Sequence, residues 1–432
     1  MQINVGTNQF CIIALCVFAT STHADVMFSQ ARGDLPIERR LDFKVGQALF
    51  ERLWVKAPAS TQAADGLGPL YNTRSCESCH ENNGKGHPPI SGRKHQLVIQ
   101  IGKEGKPDPA YGYQLQPLGV AGINAEANVE VTYTEEKLIT VEGQTITLHV
   151  PTYSVTHLSY GDLMWPNAFS PRVPNNLLGI GLVEQITDSD ILSYVDEDDV
   201  DGDGISGRAN WVSSIKTDQR VLGRYGHKAN VGFLDEQIQL AFVRDMGLST
   251  PLFPHHAGDC TTLQKVCRSM SHGNSSQYGD LEVDQTMIDL VNLYIGNLKE
   301  PLVTQEYAVD DSVGRQLFSE LACNSCHRET YIVNGQQIKP YSDFLLHDMG
   351  ESLTDHRADG VATGREWRTA PLWGIGDTKR QTGFESYLHD GRARTLTEAI
   401  TWHGGEAKKS RDDFIALPKE QRTALLDFLR TL

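Results

Sequence analysis

The chain has 432 residues, 39% of them hydrophobic, and a formal net charge of −16. That length allows two or three domains, each with its own core. So large an acidic excess speaks against nucleic acid and anionic membrane surfaces as partners; it suits a protein with a basic docking patch, or serves solubility alone.

In chain order, residues 10–19 form a mostly apolar run too short to cross a bilayer. Thr22-His23-Ala24 follows as a small-x-small cleavage pattern. Residues 1–24 therefore read as a signal peptide, with Asp25 as the mature start and the periplasm as the expected location. No Lys or Arg precedes the run, and Leu15 before Cys16 does not fit a lipoprotein cysteine. No later segment reads as a membrane span.

Residues 43–53 (FKVGQALFERL) carry apolar side chains at helical spacing. A Gly/Pro loop leads to Cys76-Glu77-Ser78-Cys79-His80. Cys-x-x-Cys-His is the attachment signature of c-type haem, in which two thiols bond the vinyl groups and the histidine takes the iron. Segments 129–133 and 145–150 alternate in the β manner around Glu142-Gly143 and predict a hairpin. Residues 199–204 (DVDGDG) match the opening of a calcium loop, with Asp199, Asp201 and Asp203 as oxygen ligands and Gly204 at the sharp turn. Position 12 is Asn210 instead of Glu, so a bound calcium and a solvated acidic turn both stand.

A helix is expected around 236–246. Cys260 and Cys267, in a Gly- and Ser-rich stretch, predict a small-loop disulfide, with a pair of catalytic thiols as the alternative. Residues 281–298 form a further helix that ends before Pro301, and 302–310 is the linker. Residues 313–321 (VGRQLFSEL) repeat the Gly-x-x-Leu-Phe pattern of the first helix and run into Cys323-Asn324-Ser325-Cys326-His327. The last helix covers 417–432.

The alternative to haem is a zinc or redox Cys-x-x-Cys pair, but structural zinc needs four ligands, and a redox pair needs neither the following His nor a second copy. The repeated order of helix, motif and closing helix predicts a mainly α fold with two cytochrome c-like haem domains. These are 25–301, enlarged by a β-hairpin or small sheet and long loops, and 311–432. Two covalently bound haem c groups are the expected cofactors.

The second motif, with Tyr387-Leu388-His389-Asp390-Gly391 and Leu396-Thr397-Glu398-Ala399-Ile400, resembles the bacterial di-haem cytochrome c peroxidase and MauG superfamily. NNLLGIGLVEQI, VRDMGLSTPLFP and YSDFLLHDMG make the di-haem oxidoreductase family, often labelled thiol oxidoreductases, the nearer resemblance. It covers nearly all of residues 40–432.

The resemblance implies a sixth ligand for the C-terminal haem at His403, fourteen residues after His389, and so a bis-His, low-spin electron relay. It implies a reactive N-terminal haem on His80, with Glu126, Gln114 and Gln116 handling peroxide protons. His87 and His95 lie close enough to His80 in sequence to serve as its distal ligand. Hydrogen peroxide or another small substrate and an electron-donor or acceptor protein are the implied partners. A non-catalytic electron-transfer protein and a MauG-like or thiol oxidase remain the other readings.

Overall fold

The computed structural model describes residues 27–89, 96–300 and 311–432. The signal segment, His95 and the 302–310 linker lie outside the described residues. Six helices carry the argument: α1 (Arg40–Glu51), α2 (Leu234–Asp245), α3 (Gln285–Gly296), α4 (Ser312–Glu320), α5 (Leu396–Thr401) and α6 (Lys419–Arg430). Seven strands join them: β1 (Val98–Gln100), β2 (Gln114–Leu115), β3 (Asn128–Ile139), β4 (Thr145–Thr156), β5 (Ser170–Arg172), β6 (Leu346–Asp348) and β7 (Glu366–Arg368).

The Gly-x-x-Leu-Phe repeat builds the same crossing twice. α1 buries Phe43, Gly46, Leu49 and Phe50. Phe43 and Phe50 meet Tyr294 of α3 at 4.9 and 5.3 Å between ring centres. A Cβ on Gly46 would sit 2.1 Å from the Leu290 carbonyl oxygen, so the two backbones touch where only glycine fits. In the C-terminal half, a Cβ on Gly314 of α4 would lie 2.3 Å from the Ala424 carbonyl oxygen and 2.5 Å from Phe428 Cβ on α6. Phe318 packs on Phe428 at 5.5 Å. Each repeat phenylalanine then stands 6.4 Å from the histidine ring of the motif that follows it, Phe50 from His80 and Phe318 from His327.

The strands form small antiparallel ladders. β1 is the centre of a β2-β1-β5 sheet. β3 and β4 pair over their whole length, from Asn128↔Thr156 to Ile139↔Thr145. β6 pairs with β7. The expectation of a mainly α chain is not met: helix accounts for 30% and strand for 18%, in several small sheets. With 39 Gly and 18 Pro, the chain is cut into short elements. The described helices reach at most 12 residues, while the hairpin strands are as long, well beyond the 129–133 and 145–150 segments.

The two halves share their cores. The largest cluster joins residues of α1, α2 and α3 with Tyr331, Phe344, Leu345 and Trp373 from the C-terminal half. The C-terminal cluster in turn takes in Leu148 of β4. Glycine-to-alanine substitution tests the close crossings. Gly46→Ala and Gly314→Ala should each lose about 1–3 kcal/mol in thermal unfolding, since the added carbon forces the backbones apart. Gly33→Ala, with nothing within 4 Å of its Cβ position, should stay within roughly 0.5 kcal/mol of wild type. Equal loss at all three positions would contradict the crossing.

Candidate functional site

The C-terminal motif opens on a cavity that contains Cys323, Cys326, His327 and His403 together. Its walls are largely apolar, with Phe318, Leu321, Leu396, Phe414 and Leu429 among them. His327 Nδ1 donates to the Tyr341 carbonyl at 2.9 Å, and His403 Nδ1 to the Ala399 carbonyl at 2.8 Å. A carbonyl at Nδ1 fixes the proton there and leaves Nε2 as a lone-pair donor. Burial holds His327 down to about 4 and lowers His403, so both rings are neutral near pH 7. Two neutral imidazoles and two unbridged thiols in one apolar cavity fit a haem. They do not fit structural zinc. Among the described residues, the ligand-like group at this motif is Cys326, Asp343 and His347, without Cys323. His347 is moreover spent on Asp343 at 2.9 Å and Glu406 at 2.7 Å.

α5 carries His403 just beyond its C-terminal end, and its position is fixed by Thr395 and Glu398. Thr395 caps the helix by accepting from the Glu398 amide. The Glu398 carboxylate accepts from the Arg394 amide at 2.8 Å, and from the amide and Nδ1 of His149 on β4 at 2.6 and 3.0 Å. The hairpin thus clamps the ligand helix. His389 is buried and stacks on Trp367 at 3.7 Å and 10°, which suits a structural place at the interface. Asp390 beside it is held by Arg392 and Tyr153.

At the N-terminal motif, His80 is enclosed beside Phe50, with Nδ1 3.4 Å from the Gly84 carbonyl. Burial holds its ring at about 4. A second cavity is lined by Cys79, Asn72, Gln96, Pro117 and Leu118 among others. Gln114, Gln116 and Glu126 come together in one polar layer. The Gln116 amide donates to Glu126 at 2.7 Å, Gln114 Nε2 to Asp245 at 2.6 Å, and Asn72 Nδ2 to Gln116 Oε1 at 2.5 Å.

Three members of that layer, Asn72, Gln264 and Asp245, were not among the sequence candidates. Gln264, inside the Cys260–Cys267 loop, donates to Glu126 at 2.5 Å. Asp245 accepts the Asn72 and Thr73 amides at its carbonyl, so it lies against the segment leading into the motif. Burial pushes the Asp245 carboxyl up to about 6, and pushes Glu126 well above the carboxylate range despite its hydrogen bonds. The VRDMG stretch was the only sequence signal for Asp245.

His87 is fully buried, with Nδ1 on the Pro88 carbonyl at 2.8 Å and, among the described residues, no partner for Nε2. His95 lies outside the described residues. Cys260 and Cys267 form the expected disulfide. In the acidic loop, carboxylates of Asp196, Asp199 and Asp201 gather. Asp203 stands outside that group and accepts the Ile205 amide at 2.8 Å. Asn210 is buried and bonds the Lys228 and Asp359 carbonyls, so it does not face the loop's acidic side chains as a twelfth-position ligand would.

The disulfide loop makes a pH prediction. Asp259, next to Cys260, accepts the Tyr113 and Gln114 amides at 2.5 and 3.0 Å, and burial raises its carboxyl from 3.8 to about 6. A raised folded-state pKa means the folded state binds more protons between 3.8 and 6, so stability falls as pH rises through that window. Asp259→Asn removes this titration. Its melting temperature relative to wild type should rise from pH 4 to pH 7; a constant difference would contradict the assignment.

Among the described residues, no helix is long and apolar enough to cross a membrane. No curated protein and no solved structure matches the chain. A family described as "di-haem oxidoreductase, putative peroxidase" matches residues 15–105 and 107–432. With both motifs and nearly the whole chain covered, the protein belongs to the di-haem oxidoreductase family.

Proposed function

We propose that the protein is a periplasmic di-haem c-type oxidoreductase that reduces peroxide at the N-terminal haem and relays electrons through the C-terminal one. Cys76 and Cys79, and Cys323 and Cys326, would hold the two haems covalently, with His80 and His327 as proximal ligands. The carrying observation is the pairing of His327 with His403 in one cavity, each with Nδ1 bonded to a main-chain carbonyl. Calcium at Asp199 and Asp201, with Asp196 in place of Asp203, is a subsidiary proposal and would be structural.

Bound haem supplies one-electron steps and, at an open iron, the two-electron reduction of hydrogen peroxide to two waters, using two protons and two electrons from a partner protein. The chain's own residues supply the protons and the exclusion of water. Burial pushes the Glu126 carboxyl up and so favours its protonated form, the one that can give up a proton. Gln114 and Gln116 orient the layer through Asp245 and Asn72.

One observation favours a second reading. If the free Nε2 of His87 closes the first iron, both haems are six-coordinate and the protein is an electron carrier. The thiol-oxidase reading has less support, since Cys260 and Cys267 are bonded to each other.

Stopped-flow mixing of oxidised and half-reduced mature protein with hydrogen peroxide separates these readings. A fast Soret change in either form, slowed about 10²-fold or more by Glu126→Gln, is the expected result. No reaction in either form would replace the enzyme by the carrier. His403→Ala should convert the C-terminal haem from low-spin to high-spin in its electron paramagnetic resonance spectrum and leave haem content unchanged; an unaltered spectrum would remove His403 from the iron.

A further inference from the structure

The cavity of the C-terminal motif does not end at His327 and His403. It continues between the halves, where Lys85, Asn175 and His227 meet Trp367, Arg368 and His389. No Asp or Glu is among its described lining residues, although the protein carries an excess of sixteen negative charges. An acidic protein has here enclosed a cationic space.

Buried cations are costly unless paired. The adjoining interface shows the paired condition: Lys228 meets Asp355 at 2.8 Å, Arg172 meets Asp359 at 3.0 Å, and Arg357 meets Asp359 at 2.5 Å. Lys85 and Arg368 differ. Among the described residues their hydrogen bonds go to carbonyls alone, Lys85 Nζ to Leu388 at 2.6 Å, Arg368 Nε to Gly226 at 2.9 Å and its NH1 to Thr369 at 3.1 Å. His227 Nε2 is buried and has no partner among the described residues. The carboxylate that acts on Lys85, Asp390, is already committed to Arg392 at 2.8 Å and Tyr153 at 2.6 Å. Burial pushes Lys85 down to about 8. Burial also pushes His227 well below its usual range, with repulsion from Arg172, Lys85, His389 and Arg368 adding to it. Asp343, the carboxylate that acts on Arg368, is likewise committed to His347 at 2.9 Å, so among the described residues no carboxylate is hydrogen-bonded to Lys85 or Arg368.

We propose that Lys85 and His227, together with Arg368, bind the two propionate groups of the haem attached at Cys323 and Cys326. This rests on the haem reading given above. A haem joined through its vinyl edge carries both propionates on the opposite edge. Cys323 and Cys326 line the cavity at the motif, whereas Lys85 and His227 line it from the first half of the chain, beside Trp367, Arg368 and His389. Lys85 and His227 come from the first half of the chain, so the C-terminal haem is held by both halves. Asn175, which lines the same part of the cavity, also bonds His80 through its backbone.

The test uses the mature holoprotein with Lys85→Met and His227→Gln, and Lys409→Met, on an exposed side chain, as control. Spectroelectrochemical titration reads the midpoint potential of the C-terminal haem, and resonance Raman reads its propionate bending band. Removing a buried cation disfavours the added electron, so Lys85→Met should lower the reduction equilibrium constant about tenfold and shift the band. His227→Gln should shift the band while the haem stays low-spin, and the control should change neither. Unchanged potential and band in both variants would overturn the proposal. So would a high-spin haem in His227→Gln, which would assign that imidazole to an iron. If Lys85→Met yields no folded holoprotein, the His227→Gln band decides. A mature wild-type protein without attached haem would instead defeat the functional reading itself.

Discussion

A buried imidazole with Nδ1 tied to a main-chain carbonyl and Nε2 left open is the arrangement on which the rest of this structure depends. Burial disfavours the charged form, and the carbonyl fixes the proton on Nδ1, so that Nε2 keeps the lone pair. His327 and His403 both meet this condition in one space. The surrounding architecture works to hold them. The Gly314 crossing brings α4 and α6 close enough for Phe318 to reach the His327 ring. The Thr395 cap and the Glu398 carboxylate fix the helix that leads to His403.

Neither half of the chain completes its own interior. Leu148 of the hairpin enters the C-terminal core, and His149 beside it binds the otherwise buried Glu398. In return, Tyr331, Phe344 and Trp373 enter the N-terminal core. Between them lies a buried network of Arg172, Lys228 and Arg357 with Asp355 and Asp359. Removing one member of such a network leaves an uncompensated buried charge, typically about 3–5 kcal/mol. This favours a fixed spacing between the two motifs, which the proposed electron relay would require.

Local pattern made much of this legible in the sequence. The two Cys-x-x-Cys-His motifs, the repeated Gly-x-x-Leu-Phe helices, the disulfide and the hairpin all follow from residues close together in the chain. The overestimate of helix came from weighting two clear helix repeats over a chain rich in Gly and Pro. Strands of two or three residues, such as β2 and β5, are fixed by partners far away and leave no periodicity to read. The partners of the candidate site were hidden for the same reason. Asp245 meets Gln114 across 131 residues and Lys85 meets Leu388 across 303. Asp203 was read as a ligand from spacing alone; like Asp199 and Asp201, it accepts a backbone amide of the turn.

The proposed function requires haem held covalently at both motifs. Intact-mass measurement of the mature protein under denaturing conditions decides whether it is. The expected mass is that of the chain from Asp25 plus two haems, retained after denaturation and lost one at a time when Cys76 and Cys79, or Cys323 and Cys326, are replaced by Ala. A bare chain mass from cells competent in haem attachment would contradict it.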